Sequence, residues 1–551
     1  MSSIEQPGGS SSGQTSGATA TPATPATTGS VGGASAPPAP TPLSGAQLLL
    51  GTLALSLATF MNVLDSSIAN VSIPAIAGDL GVSPNQGTWV ITSFGVANAI
   101  SVPLTGWLTQ RFGAVRLFST SILLFVLTSF LCGFAPSLEL LVFFRVLQGL
   151  SAGPMIPLSQ TLLLSSYPPA KAGTALALWG MTTLVAPIAG PLLGGWITDN
   201  FTWPWIFYIN VPVGLFSAAL TWSIYRSRET TVRKLPIDTI GLALLVIWVG
   251  SLQLMLDKGK ELDWFSSNFI VSLGCVALVS FIIFLVWELT EEHPVVDLRL
   301  FSGRNFAFGT LTLSVAYGLF FGNVVLMPLW LQQFMGYTAT SAGMALAPVG
   351  VFAILLTPLV GKKVALWDPR VMATGAFIVF AFILWQRSQF TTDTDFYHIL
   401  IPTLLQGAAM AFFFIPLTTL LLAGQPPAKI PAAAGLSNFV RIMTGAMGTS
   451  IVTTLWESRA AMHHSHLAEP LSQVQGNLPY TLNQMQNSGM SMNESLVQIN
   501  RAIDQQAFTK SATDIFLISA CVFILLIGLI WLTKRPKKMG PAAVKDAGGA
   551  H

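Results

Sequence analysis

Runs of about 20 apolar residues recur almost from end to end of this chain, separated by short polar links. No other feature constrains the fold as much. A helix of that length, rising ~1.5 Å per residue, crosses the ~30 Å hydrocarbon core of a bilayer. Inside lipid every backbone polar group must be satisfied within the protein, which leaves helices or a closed barrel. The runs are too long for barrel strands and lack strict alternation. Charged residues make up 9% of the 551 positions, against about a quarter in soluble domains. Mean hydropathy is +0.64. A water-soluble fold is excluded, and an all-α polytopic membrane protein is expected.

Fourteen spans are expected: 47–74, 88–109, 115–135, 138–163, 173–198, 204–224, 237–256, 268–289, 305–332, 340–360, 370–386, 397–423, 431–457 and 513–533. With the N-terminus in the cytoplasm, the even-to-odd links are cytoplasmic and so is the C-terminus. About 18 of the 26 Lys and Arg residues then lie inside, and about 6 outside, Arg387 among them. That asymmetry is the positive-inside pattern. The remaining two, Arg145 and Arg441, fall within spans.

Residues 1–44 are rich in Ser, Thr, Gly, Ala and Pro and carry one charge, Glu5; a disordered cytoplasmic tail is expected. It lacks the basic and apolar regions of a signal peptide. A second cytoplasmic tail is expected over 534–551, and "RSRETTVRK" marks a junction after span six. The stretch 458–512 is polar and would form a long loop on the outer face, with helical spacing in "MNESLVQINRAIDQQAFTK". Cys132, Cys275 and Cys521 lie in apolar runs and read as small buried hydrophobes, with no disulfide framework implied.

Asp65 stands in the middle of span one, in "NVLDSSIANVSIP". A carboxylate there costs roughly 2.5–3.5 kcal/mol on insertion scales. It lies ~13 Å below the outer face and Arg145, in span four, ~10 Å. Opposite charges at similar depth point inward and pair. Pairing explains why both are tolerated and lets protonation reset Asp65; a static pair that only orients helices is the bland alternative. Asn62, Ser66, Ser67 and Asn70 decorate the same span, and Gln148 follows Arg145 by three positions. Polar groups of this kind suit a wet cavity. Arg441, with Asn438 one turn before it, is the other buried cation. It would hold an anionic substrate, pair with a distant acid, or lock helices through carbonyls.

Span five, "WGMTTLVAPIAGPLLGGWITD", carries Pro187, Gly190, Pro191, Gly194 and Gly195. Proline bends a helix and glycine lets a second backbone approach, as a rocking interface requires and as ordinary small-residue packing also would. "GLSAG" imitates an esterase elbow but sits inside a span with no His in any adjacent segment. "MHHSH" (462–466) fits no structural zinc spacing. No phosphate-binding loop is present to use ATP. Trp179, Phe413 and the neighbouring Phe and Met residues permit an adaptable greasy cavity.

Taken together, several stretches resemble the major facilitator superfamily, in particular its fourteen-span drug:proton antiporters of the EmrB/QacA type. These are "LDSSIANVSIP", "GWLTQRFGAVRLF", "FRVLQGLSAGP", "APIAGPLLGGW" and "WPWIFYINVPVG". "GTWVITSFGVANAIS", "DKGKELDWFSS" and "YPPAK" are most similar to the Gram-negative EmrB branch. The resemblance covers nearly all of 45–533. It implies two six-helix bundles, 45–224 and 304–533, with two further helices inserted in 225–303.

On this likeness Asp65 is the proton-linked acid, Arg145 tunes it, and Pro187 to Gly195 form an inter-bundle hinge. Asn62, Asn70, Gln148, Trp179, Phe413, Asn438 and Arg441 are candidates for substrate contact. Gly106, Gln110, Arg111 and Gly113 match the loop motif between spans two and three, which in the superfamily carries an Asp where Gln110 stands here; a charge-based latch at that point is in question. The implied function is export of hydrophobic drugs across a bacterial inner membrane in exchange for protons, with no cofactor but the proton motive force. The implied partners are a periplasmic adaptor of the EmrA type and a TolC-like outer-membrane channel, with no nucleic acid. One charge crossing 100 mV releases ~2.3 kcal/mol, enough for a gradient of about 40-fold in a neutral substrate. A proton-coupled symporter and a non-transporting scaffold or sensor are the competing readings, and the span-five motif weighs against the symporter.

Overall fold

The computed structural model describes residues 42–535 apart from 83, 169–170, 233–235, 237, 260, 365, 427–428 and 473–477. Nearly all of both expected tails lies outside the described residues. Every described regular element is a helix. Fourteen helical segments run in sequence: α1 (Gly45–Asp79), α2 (Trp89–Ser101 with Thr105–Phe112), α3 (Ala114–Gly133), α4 (Leu138–Ala152 with Met155–Ser166), α5 (Ala172–Asn200), α6 (Trp205–Tyr208 with Asn210–Tyr225) and α7 (Thr239–Lys258). They continue as α8 (Asn268–Thr290), α9 (Arg304–Gln333), α10 (Ala339–Leu346 with Val349–Lys363), α11 (Pro369–Arg387), α12 (Phe396–Leu422), α13 (Ile430–Ser472) and α14 (Met492–Trp531). Eleven are long and apolar enough to cross a membrane, and α2, bent by 62°, makes a twelfth. The other two, α5 and α13, have 29 and 43 residues and pack lengthwise on their neighbours.

Local chemistry sets the boundaries. Asp238, Asp368 and Asp395 accept the first free amides of α7, α11 and α12. Ser491 and Glu494 form a capping box at the start of α14. Breaks fall at Pro103, Gly153–Pro154 and Pro348, where a missing amide donor interrupts the helical ladder.

Within α1–α6, α1 packs on α5 and α6, α2 on α4, and α3 on α4 and α6. Within α9–α14, α9 packs on α12 and α13, α11 on α12 and α14, and α13 on α14. These are the two six-helix bundles. The α7–α8 hairpin lies beside them, with α7 against both α2 and α13. The two ends of the described chain share one face, the terminal face: Leu43 N donates to Ser166 O at 2.9 Å, Gly173 at the start of α5 abuts the Gly361 carbonyl near the end of α10, and Arg370 Nη1, just beyond α10, donates to Thr533 O at 3.2 Å.

Two expectations change. The stretch 458–512 is not mainly a loop; α13 and α14 run on into it, joined through the short helix Leu478–Asn487. At ~1.5 Å per residue the two long helices project ~30 Å beyond a bilayer. Arg459 and His463 on α13 both hold Asp514 on α14, at 3.0 and 2.9 Å. Arg387 is not an outer-loop residue. It is buried at the end of α11, where Thr403 and Gln406 of α12 accept from it at 3.1 and 2.8 Å. All three cysteines are free; Cys132 is buried as expected, but Cys275 on α8 and Cys521 on α14 are exposed, against the expectation that all three are buried.

Candidate functional site

Asp65 sits midway along α1, completely buried. Its Oδ2 pairs with Arg145 Nη1 of α4 at 2.6 Å. Its Oδ1 accepts from Gln148 Nε2 of α4 at 3.1 Å and from Asn210 Nδ2 of α6 at 2.8 Å. Arg145 also donates to Gln148 Oε1 at 2.7 Å and to the Val90 carbonyl of α2 at 2.9 Å. The guanidinium lies over the ring of Phe94 at 4.2 Å. One carboxylate thereby ties α1 to α4 and α6, and its counter-ion ties α4 to α2. Charge-assisted bonds in a dry interior are strong, and an unmet partner is correspondingly costly. Arg145 Nη2 has no partner. The pairing expected from the sequence is present; Asn210 completes it.

The remaining α1 candidates pack against helices. Asn62 is 1% exposed and donates to the Ala152 carbonyl of α4 at 3.0 Å. The side chain of Asn70 lies outside the described residues, as do those of Pro187 and Pro191. Gly190 and Gly194 of α5 face α1 one turn beyond Asp65. A Cβ on Gly190 would sit 2.7 Å from Ser67 Cβ, and one on Gly194 2.9 Å from the Ile68 carbonyl. Gly195 faces open space. The glycines expected at an inter-bundle hinge therefore seat α5 on the helix that carries Asp65.

The bundles meet elsewhere along α5. Leu176 and Ala177 pack with Val360 of α10 and Val364 just beyond its end, and Trp179 stacks on Phe414 of α12 at 5.8 Å. Trp179 is anchored by its indole N–H to Ser159 Oγ at 2.9 Å. Arg441 is 3% exposed and lies over Tyr317 and Phe414 at 4.7 and 5.1 Å. Its Nη2 donates to Asn438 Oδ1 at 2.6 Å, while Nε has no partner. Asn438 also donates across the bundles to Gln160 Oε1 at 3.3 Å. Trp179, Asn438 and Arg441 thus share one interface with Phe414, Tyr317 and Gln160. Phe413 turns into the C-terminal bundle, against Phe377 and Phe380.

At the terminal face Gly106 of α2 meets Ala432 of α13; a Cβ there would stand 2.9 Å from the Ala432 Cα. Gln110 lines a cavity of about 320 Å³ with Asp297 and Lys429, which pair at 3.0 Å. Arg111 lies over Trp107. Gly113 has φ +90°, a conformation open to glycine, and Glu229 accepts the amides of Val115 and Arg116 at 3.0 and 2.9 Å. Among the described residues no cluster of His, Cys, Asp or Glu could hold a metal.

Residues 55–449 match the Major Facilitator Superfamily. The multidrug export protein EmrB of Escherichia coli strain K12 is 52% identical, over 93% of this chain and 99% of that one. The fatty acid resistance protein FarB of Neisseria gonorrhoeae is 48% identical, again over 93% and 99%. Among solved structures, the human organic anion transporter MFSD10 aligns with a TM-score of 0.55 at 13% identity, over 88% of this chain and 100% of that one. The proton:xylose symporter XylE gives 0.55 at 14%, over 88% and 95%. These two likenesses concern the fold alone.

Proposed function

The chain belongs to the Major Facilitator Superfamily and is a transporter rather than an enzyme; from that premise we propose that it is a proton-driven multidrug exporter of a bacterial inner membrane. The observation that carries this reading is the wholly buried Asp65–Arg145 pair at 2.6 Å. Protonating Asp65 removes the charge that holds α1 to α4 and α6 and leaves Arg145 uncompensated in a dry interior. The low-energy response is for α1 to shift against α4 and α6. Gly190 and Gly194 pass that shift to α5, and Leu176, Ala177 and Trp179 carry it to the other bundle.

The terminal face is cytoplasmic on the distribution of basic residues. The close contacts described between the bundles lie toward that face, so the arrangement here is closed to the cytoplasm. Cargo binds between the bundles, near Trp179, Phe414 and Arg441. An aromatic interface with a guanidinium that lacks one acceptor suits hydrophobic compounds that are neutral or weakly acidic. The names of the relatives, which speak of multidrug export and fatty acid resistance, support that cargo. The α13–α14 projection on the opposite face is where an EmrA-type adaptor would dock on the way to a TolC-like channel.

The test uses everted membrane vesicles holding a proton gradient, challenged with acidic, neutral and cationic hydrophobic drugs, uncouplers excluded. Wild type releases protons on drug addition, and Asp65→Asn, present at equal level, does not. Equal release in both would sink the assignment of Asp65.

A further inference from the structure

The α7–α8 hairpin carries two carboxyl groups that the Asp65 site does not use. Glu288, in the last turn of α8, is completely buried. Its Oε2 accepts the backbone N–H of Val296 at 3.1 Å, whereas Oε1 has no hydrogen-bond partner. Asp238 caps α7 and accepts the Gly241 amide at 2.8 Å and the Trp287 indole N–H at 3.0 and 3.1 Å. The two carboxyls crowd one point: a Cβ on Gly241 would strike Asp238 Oδ2 and stand 2.7 Å from Glu288 Oε1.

Among the described residues, the charges that act on Glu288 are Asp238, from the link before α7, and Glu291, just beyond its own helix; both are negative and, together with burial, outweigh the Val296 and Val295 amides. The adjoining turns of α7 bring no basic residue. The turn Leu298–Ser302 brings Arg299, whose Nη2 goes to the Glu291 carbonyl at 3.1 Å. The turn Trp264–Ser266 is uncharged. A carboxylate at position 288 would be a buried charge with an empty acceptor and two like neighbours. A carboxylic acid suits the same geometry: its carbonyl oxygen takes the Val296 amide, and no further charge is set beside Asp238 and Glu291.

We propose that Glu288 is a second proton-binding site, and that its proton clasps the linker 291–303 onto the hairpin. Val295 and Val296 of that linker are buried, and the next residue, Asp297, reaches Lys429 ahead of α13 at 3.0 Å. Release of the proton places a third negative charge among Asp238 and Glu291 and frees the linker from the terminal face. This site stands independently of the role of Asp65.

Two readouts on the full-length protein test it. At neutral pH the infrared spectrum contains a protonated-carboxyl C=O band that Glu288→Gln removes. In a background with the three cysteines replaced by Ser, Asp297→Cys and Lys429→Cys are cross-linked between about pH 6 and about pH 9. The rate is divided by that of the same pair carrying Glu288→Gln, which cancels the titration of the thiols. The ratio falls several-fold toward alkaline pH. If Glu288→Gln does not assemble, Asp238→Asn, an equally good cap, replaces it and moves loss of the band to lower pH. A neutral-pH spectrum without a Glu288 band, or a flat cross-linking ratio, overturns the proposal.

Discussion

Removing Arg145 and neutralising both members of its pair are different experiments. Arg145→Ala leaves Asp65 buried without a counter-charge, and breaking a buried pair from one side costs about 3–5 kcal/mol. The double variant Asp65→Asn/Arg145→Gln keeps the volume and offers amides to Gln148 and Asn210, so it recovers most of that loss. Thermal unfolding in detergent checks the order, with Arg145→Ala lowest, and drug transport is absent from both. The pair was legible because charges in apolar runs are rare and these two fall at matching depth. Asn210 was not: it lies in "FYINVPVG", and nothing in that stretch points to a partner 145 positions away. Arg387 misled for a related reason. A basic residue at the end of a short run reads as a loop residue until the neighbouring helix covers it.

At the scale of elements, α5 shows why pattern and partner are separate questions. The glycines were visible, but which helix they seat depends on rotation about the axis. Gly194→Val forces a branched side chain against Ile68 of α1 and is expected to lower stability by about 1–3 kcal/mol. Gly195→Ala, facing open space, is neutral; the two variants compared for unfolding and transport separate close packing from flexibility. The same phase ambiguity put Phe413 forward in place of Phe414. Asp368 at the start of α11 gives a pH signature. Burial pushes its carboxyl up, but the hydrogen bonds from Arg370 and the charges of Arg370 and Arg535 outweigh burial and hold it below its ordinary value. A carboxyl lowered on folding adds stability above its unfolded value, ~3.9, which is lost as pH falls through the folded one. Asp368→Ala is expected to cost about 1 kcal/mol at neutral pH, and its unfolding curve converges on wild type below about pH 4.

For the whole molecule, the named inter-bundle contacts define a state that chemistry can trap. Gln160→Cys with Asn438→Cys, built without the native cysteines, puts thiols at two positions whose longer side chains now meet at 3.3 Å. Bridging them with a bis-methanethiosulfonate reagent is expected to abolish drug efflux and reduction to restore it; efflux unaffected by a complete cross-link would mean that this contact never opens. The order of fourteen helical segments was legible because each follows its own apolar run, and eleven or twelve of them are long and apolar enough to cross a membrane. The projection of α13 and α14 was not, because its residues are polar and read as a loop. Yet those helices continue unbroken from the C-terminal bundle, and the Arg459–Asp514 and His463–Asp514 pairs brace them together. They form a rigid pointer ~30 Å long, for which each degree of bundle tilt sweeps the tip through about half an ångström. A rocking motion too small to see within the membrane is thereby magnified at Leu478–Asn487, in the aqueous space where another protein could feel it.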